Sequence, residues 1–273
     1  MSRISIVTGA NQGLGYALAE GLAHRASADD VVYLTGRDAG RVDEAAAKID
    51  HPAIRTHVLD VRDGDAVAGF AAQLAERHGG VDAVFSNAAA RLSPGAANSE
   101  QVVPFVETNN LGTTHILRSF LPVLRPGGAL LIVASSFGTL RQLPPHLHSR
   151  FEGRSLEEVD ATMLAWRDAV VNGTAGAEGW PDWINIPSKV GQVAAVRAVA
   201  AQRREADAAS GTLIAAVCPG LIDTDASRPW FADMSGAASP AEGAKPLLDL
   251  ALGARRPEYY GELVQFGRVL RWL

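Results

Sequence analysis

Three glycines near the start of the chain are placed to do chemistry on an anion. In Ile4-Ser5-Ile6-Val7-Thr8-Gly9-Ala10-Asn11-Gln12-Gly13-Leu14-Gly15 an apolar run meets a glycine-rich turn, and an Ala/Leu-rich helical pattern follows from Tyr16 to Ala23. Glycines at such a corner let the backbone approach a phosphate with no Cβ in the way. The helix behind them offers free N–H groups and the positive end of its dipole. The chemistry this predicts is capture of a dinucleotide pyrophosphate. A tight strand-to-helix connection with no ligand would use the same residues, and only the rest of the chain decides between the two.

The elements that must position this turn alternate along the sequence. Strands are predicted at Ile4–Val7, Val31–Leu34, Ile54–Leu59, Ala83–Ser86, Ala129–Ala134, Thr212–Val217 and Leu263–Phe266. Helices are predicted at Leu14–Ala26, Arg41–Ile49, Ala66–His78, Val102–Leu124 and Ser188–Ala208. Continuous apolar strands between amphipathic helices imply an α/β fold of Rossmann type. The expected architecture is a doubly wound, mostly parallel seven-stranded sheet with helices on both faces. Ligands of such sheets bind beyond the C-terminal ends of the strands.

The alternation stops between Thr139 and Pro187. This stretch holds Pro144-Pro145, His146, His148 and a Trp/Gly/Pro-rich segment. Ser155 followed by Glu158 is a capping-box signature, and Leu156, Val159, Met163, Trp166 and Val170 form one apolar stripe behind it. The expectation is a helical insertion at 139–187 within a single domain spanning 1–273. It either covers a substrate or only packs.

Composition narrows the class. The chain has 273 residues, 47% of them hydrophobic, enough for a large core. Net charge is −5, from 25 basic and 30 acidic residues, with no basic stripe, so nucleic acid is not the expected partner. Cys218 is the only cysteine, which excludes an intrachain disulfide and points to a reducing, cytoplasmic setting. Strand-like sequence begins by Arg3, which leaves no pattern for a signal peptide. The central apolar run Ala129–Ala134 is too short to span a bilayer, so no membrane partner is expected.

The residues at the predicted strand ends resemble the short-chain dehydrogenase/reductase superfamily in type and order, over nearly the whole chain. Thr8-Gly9-x-x-x-Gly13-x-Gly15 matches its nucleotide fingerprint, which takes in Asn11, Gln12 and Leu14. Asp60-Val61 matches its adenine-contacting position, and Asn87-Ala88-Ala89 resembles its Asn-Asn-Ala-Gly element with two departures. Asn109, in Thr108-Asn109-Asn110-Leu111-Gly112-Thr113, matches its helix asparagine. Ser135 stands at the serine position, with Ser136 beside it as the alternative; the Ser-x-x-Gly spacing to Gly138 favours Ser135. Pro219-Gly220-Leu221-Ile222-Asp223-Thr224 matches the loop at the nicotinamide, where Thr224 either binds cofactor or is a plain turn residue.

The long insertion, Glu178-Gly179-Trp180-Pro181 and Ser239-Pro240-Ala241-Glu242-Gly243-Ala244 resemble the subgroup of monomeric carbonyl reductases and plant menthone and salutaridine reductases. What the resemblance implies is a nicotinamide cofactor, a small-molecule substrate and a monomer. Where readers of NAD carry a carboxylate after the second strand, this chain has Gly36 and then Arg37. A guanidinium there pairs with a 2′-phosphate, so NADPH is favoured over NADH, provided that Arg37 is not simply a solvated loop charge. Asp38 is expected to point away.

One departure changes the chemistry. The family's acid–base pair is Tyr-x-x-x-Lys on one helical face, and here Lys189 is present while Asn185 stands in the tyrosine position. Tyr16, Tyr33, Tyr259 and Tyr260 are all far from it in sequence. An asparagine amide donates a hydrogen bond but does not transfer a proton at ordinary pH. General acid catalysis is worth about 10²–10⁴ in rate. His146, His148, Asp182 and Ser188 are nearby in sequence as substitutes. Asn109 either holds a helix-bound water near Lys189 or bonds its own backbone. Three readings follow: a reductase of a carbonyl, enone or imine with an altered acid, a non-redox enzyme that orients a reactive intermediate, and a catalytically retired NADPH-binding protein. Trp230, Phe231 and Met234 in the stretch Ile222–Ser239 suggest an apolar pocket wall, to which Trp166, Trp180 and Trp183 either add or belong as core.

Overall fold

The structure is a computed structural model and describes residues 2–273. Seven parallel strands form one sheet: β1 (Ile4–Val7), β2 (Val31–Gly36), β3 (Ile54–Val58), β4 (Val81–Ser86), β5 (Leu124–Val133), β6 (Leu213–Cys218) and β7 (Leu263–Gln265). An eighth, β8 (Arg268–Leu270), pairs antiparallel with β7, and the spatial order is β3-β2-β1-β4-β5-β6-β7-β8. The expectation of seven strands is therefore one short. Phe266 and Gly267 both have positive φ, 48° and 71°, the backbone of a two-residue primed hairpin turn. Phe-Gly is not the usual Asn-Gly signal for that turn, and three residues carry too little pattern to be read as a strand.

Helices cover both faces, each over its own core. Leu18 and Leu22 of α1 (Gly13–Ala23), Val42 of α2 (Ala39–Ile49) and Leu247 and Leu248 of α8 (Pro240–Leu252) pack on one face. The other face carries α3 (Gly64–His78), α4 (Asn98–Val106), α5 (Gly112–Phe120) and α7 (Asn185–Ser210). The capping box expected at Ser155/Glu158 forms, a second is found at Ser239/Glu242, and Pro240 takes the first helical position of α8.

Several predicted boundaries move: the first helix ends at Ala23 rather than Ala26, and two shifts bear on the site. The long helix expected over Val102–Leu124 is α4, a π-helical turn at Glu107–Leu111, α5 and a 3-10 turn at Leu121–Val123. β5 already begins at Leu124, which pairs with Val81. A single π turn inserts about one residue into an otherwise continuous helical stretch, too short an interruption for hydrophobic spacing to locate. The helix expected from Ser188 starts three residues earlier, at Asn185. Pro187 is tolerated there because first-turn N–H groups have no intrahelical partner.

Within 139–187, two short 3-10 turns, Leu140–Gln142 and Pro145–Arg150, precede α6 (Leu156–Val171). α6 lies on α4 and α7. Trp166 and Trp180 are fully inside, 0% and 3% exposed, so both are core.

Candidate active site

The glycine turn is built by the ends of β1 and β4. The Thr8 hydroxyl oxygen accepts the N–H groups of Asn87 at 2.9 Å and Ala88 at 3.0 Å. The Asn87 carboxamide donates to the carbonyls of Thr8 at 3.0 Å and Gly9 at 3.2 Å. Gly9 has φ +61°, and a Cβ on it would stand 2.8 Å from the Ala88 Cα. A Cβ on Gly15 would collide with the Gly9 carbonyl oxygen and the Asn87 amide. Gln12, at the helix N-cap, is extended and its side chain caps nothing, so the first N–H groups of α1, from Gly13, Leu14 and Gly15, open outward. This cradle fits a pyrophosphate: backbone donors converge where any side chain would intrude.

At the end of β2, Asp38 caps α2 by accepting the Arg41 N–H at 2.9 Å, so its carboxylate faces its own helix. Arg37 is exposed beside it. The Arg41 guanidinium bonds the Gln12 carboxamide and lies beside that of Asn11. Two guanidinium groups thus flank the place where a carboxylate would read a ribose 2′-OH. Arg41 was not singled out in the sequence; its signal is a second arginine one helical turn after Arg37 (i, i+4). At the end of β3, Arg62 holds Asp60 through Nη2 at 2.6 Å and Nε at 3.0 Å, which keeps the Asp60 carboxyl below the usual carboxylate range. Val61 beside it is buried.

Lys189 lies where β5, β6, α7 and the π turn meet. Its Nζ donates to the Gln192 Oε1 at 2.7 Å and reaches the Val133 carbonyl at 3.4 Å. Gln192, 2% exposed, donates through Nε2 to the Thr113 hydroxyl at 2.9 Å, and Thr113 donates to the Asn109 carbonyl at 2.6 Å. The Asn109 side chain is turned elsewhere, accepting the Ala90 N–H at 2.8 Å and so fixing the loop after β4. Desolvation brings the Lys189 ammonium down to about 8, against a small opposing effect of the Cys218 thiol. Neither Gln192 nor Thr113 was anticipated. The available signal is a lone polar residue in the apolar run Val190-Gly191-Gln192-Val193-Ala194.

Ser135 ends the same sheet edge. Its Oγ accepts the Phe137 N–H at 3.3 Å, which leaves its own O–H to donate. The Ser136 N–H goes to the Cys218 Sγ at 3.2 Å. A Cβ on Gly138 would lie 2.9 Å from the Lys189 carbonyl and 2.6 Å from Val193 Cγ2, so the serine turn can seat on α7 only with glycine there. Asn185, on the first turn of α7, is half-buried, and its carboxamide has no hydrogen-bond partner among the described residues.

The other nearby groups are engaged. Ser188 donates to the Asn110 Oδ1 at 2.9 Å inside the core, and His146 and His148 place Nε2 2.9 Å from the carbonyls of Glu178 and Leu143. Those histidines stitch the insertion. Asp182 is exposed.

The loop after β6 folds back over the cradle. Pro219, Gly220 and Ile222 carry the chain to Thr224, whose methyl group stands against Gly13 and whose hydroxyl meets Ser227 at 3.1 Å. Trp230 from this loop, Trp183 before α7 and Phe137 after Ser135 form an aromatic wall. The ring centroids are 6.0 Å apart for Trp183–Trp230 and 5.0 Å for Phe137–Trp183. No cluster of metal-ligating side chains and no helix long and apolar enough to cross a membrane occur among the described residues.

Fold and cradle together define a doubly wound protein that holds a dinucleotide at the C-terminal edge of its sheet. A family model described as short chain dehydrogenase matches residues 3–144. The chain is 30% identical to carbonyl reductase (NADPH) 1 of Sus scrofa over 287 residues, covering 99% of this chain and 94% of that protein. It is also 30% identical to carbonyl reductase (NADPH) 3 of Mus musculus, covering 99% of both. Among solved structures, salutaridine reductase from Papaver somniferum superposes with a TM-score of 0.80 at 20% identity, over 96% of this chain and 99% of that one. Menthone neomenthol reductase from Mentha piperita gives 0.76 at 20% identity, over 97% and 99%. The chain belongs to the short-chain dehydrogenase/reductase family and is an NAD(P)-dependent oxidoreductase.

Proposed function

We propose that the protein uses NADPH to reduce a small or medium-sized apolar carbonyl, enone or imine. The observation that carries this reading is Lys189 at the ends of β5 and β6, on the sheet edge that also bears the glycine cradle, with the serine turn that leads from Phe137 of the aromatic wall seated against it. When bound, the dinucleotide supplies hydride. Gly9, Asn11, Gln12, Gly13, Leu14 and Gly15 receive its phosphates, with Asn87 and Ala88 holding the turn in shape. Arg37 and Arg41 pair with the 2′-phosphate, and Asp60 and Val61 border the adenine. Pro219, Gly220, Ile222 and Thr224 line the nicotinamide side, and Lys189 binds the adjoining ribose.

At the substrate, Ser135 donates a hydrogen bond to the reacting oxygen. Asn185 orients the same group through its carboxamide and gives up no proton. Asn109 supports Lys189 through Thr113 and Gln192. The covering of α4 and α7 by α6 supports a monomer, because that face is then closed to a second copy.

The test is consumption of NADPH by the purified protein against panels of aromatic ketones, enones and cyclic imines. Turnover with at least one class is expected. NADPH binding with no turnover against any panel would overturn the reading in favour of a retired binding protein, and product formed without NADPH consumption in favour of a non-redox enzyme. Arg37→Ala is expected to weaken NADPH binding about tenfold, the equivalent of one charged hydrogen bond, and to leave NADH binding unchanged. Calorimetric titration with both nucleotides measures it.

A further inference from the structure

We propose that Lys189, aimed by Gln192, is the proton source for the reduced oxygen in this active site, working through one water molecule. The inference rests on the reductase reading above. Asn185 leaves the site without a phenol, and each other protic group near it in sequence is tied up or turned away. Ser188 is locked to Asn110, both histidines are bonded to backbone carbonyls, and Asp182 faces solvent. Lys189 differs from them. Its ammonium stands at the ends of β5 and β6, with one short side-chain bond, to a neutral amide.

Gln192 is what makes this arrangement specific. A carboxylate at that point would hold the ammonium firmly charged. The Gln192 amide fixes its position without that effect, and is itself fixed by Thr113 and the Asn109 carbonyl. The Cys218 thiol on β6 is the one titratable group that bears on Lys189 among the described residues. No carboxylate on α5, α7 or β5 opposes the loss of the proton. Burial does the rest, bringing the ammonium to about 8, where it donates readily near neutral pH.

The step balances. Hydride from the dihydronicotinamide, the reductant, forms the new C–H bond at the carbonyl carbon, and the C=O π pair moves to oxygen. That oxygen takes one proton from the bridging water, which takes one from Nζ. The products are an alcohol, an oxidised nicotinamide and a neutral Lys189 amine, which regains its proton from solvent. Lys189 is the proton source and Gln192 a positioning residue.

The test uses the full chain with NADPH and a ketone that the wild type reduces. The reduction rate should fall about tenfold per pH unit above a midpoint near pH 8. Gln192→Glu, which puts a carboxylate at the same reach, should move that midpoint up by about one unit or more. Lys189→Arg should lower the rate about 100-fold or more and remove the alkaline fall, because a guanidinium does not release its proton. A second readout needs no turnover. Titration of the Lys189 Nζ by NMR in the full chain without nucleotide should give a midpoint near 8 in the wild type, higher in Gln192→Glu.

Several results would overturn the proposal alone: a rate independent of pH from about 7 to 10, a midpoint unmoved by Gln192→Glu, or an Nζ midpoint above about 10. Failure of the wild type to reduce any ketone, enone or imine would remove the reductase reading and this proposal together.

Discussion

Helix α7 carries a charge turned into the protein near each end, Asp207 buried and Lys189 half-buried, and the two are treated in opposite ways. At its C-terminal end Asp207, 2% exposed, accepts two bonds from Arg203, at 3.0 and 3.2 Å, and a third from the Tyr260 hydroxyl at 2.6 Å. At its N-terminal end Lys189 has a neutral amide and a distant carbonyl. A buried charge that only holds structure is matched by an opposite charge and its hydrogen bonds are filled. A buried charge left under-partnered is costly and is kept where its proton or its field is used. On the reading proposed above, the same helix holds one charge for structure and one for chemistry.

The comparison can be broken most directly by exchanging charge for apolar volume at each end. Lys189→Met is expected to cost about 10²–10⁴ in reduction rate, yet to leave the fold as stable or more so, because a poorly solvated charge is removed. Steady-state kinetics and thermal melting of one preparation measure both. Asp207→Ala should do the reverse. It leaves Arg203 and Tyr260 facing an empty position and should lower unfolding free energy by about 3–5 kcal/mol, read by urea denaturation. An Asp207→Ala protein as stable as wild type would show that the cluster holds nothing.

Alkaline pH sharpens the contrast, because the two ends respond with opposite sign. Lys189 is held to about 8 in the folded protein and returns to its ordinary value of 10.5 on unfolding. Between these limits the unfolded chain binds more protons, so this end adds stability as pH rises, on the order of 1–3 kcal/mol. Tyr260 is pushed above its ordinary 10.0, first by burial and then by its bond to Asp207. Its contribution is present below about pH 10 and is lost above it. Denaturation midpoints measured across the alkaline range should therefore rise and then fall. Lys189→Met should abolish the rise and keep the fall.

The smallest effect expected is a gain. Asn185→Tyr places a phenol one helical turn before Lys189 and should raise reduction of a simple ketone about tenfold or more. No gain with a ketone that the wild type accepts would mean that the wall of Phe137, Trp183 and Trp230 is shaped for a substrate that leaves no room for a phenol.

Much of this was legible from local pattern. The glycine turn, six of the seven parallel strands to within two residues, and the capping box at Ser155 follow from short-range rules of backbone freedom and apolar spacing. The exception was β5, whose start at Leu124 lay inside a stretch that reads as helix. Asn185 and Lys189 were also legible, because four-residue spacing on a helix is a local property. Gln192 and Thr113 were not. Each is an ordinary polar residue in a helical sequence, and only the packing of α7 against α5 joins them to Lys189. Arg41 was hidden in the same way, since its partner Gln12 lies 29 residues away. The aromatic wall gathers residues from three loops, and sequence alone did not separate Trp183 from the core tryptophans 166 and 180.

The bonds that join Thr8 to Asn87 have one more consequence, for the order of assembly. They span 79 residues of sequence, and β1 cannot pair with β4 until the chain between them has been brought round. Contacts of such separation are slow to form, because the loop-closure entropy must be met before any stabilisation returns. The pyrophosphate cradle is therefore a late product of folding, and binding its nucleotide acts as a latch on the completed sheet rather than as a template for it.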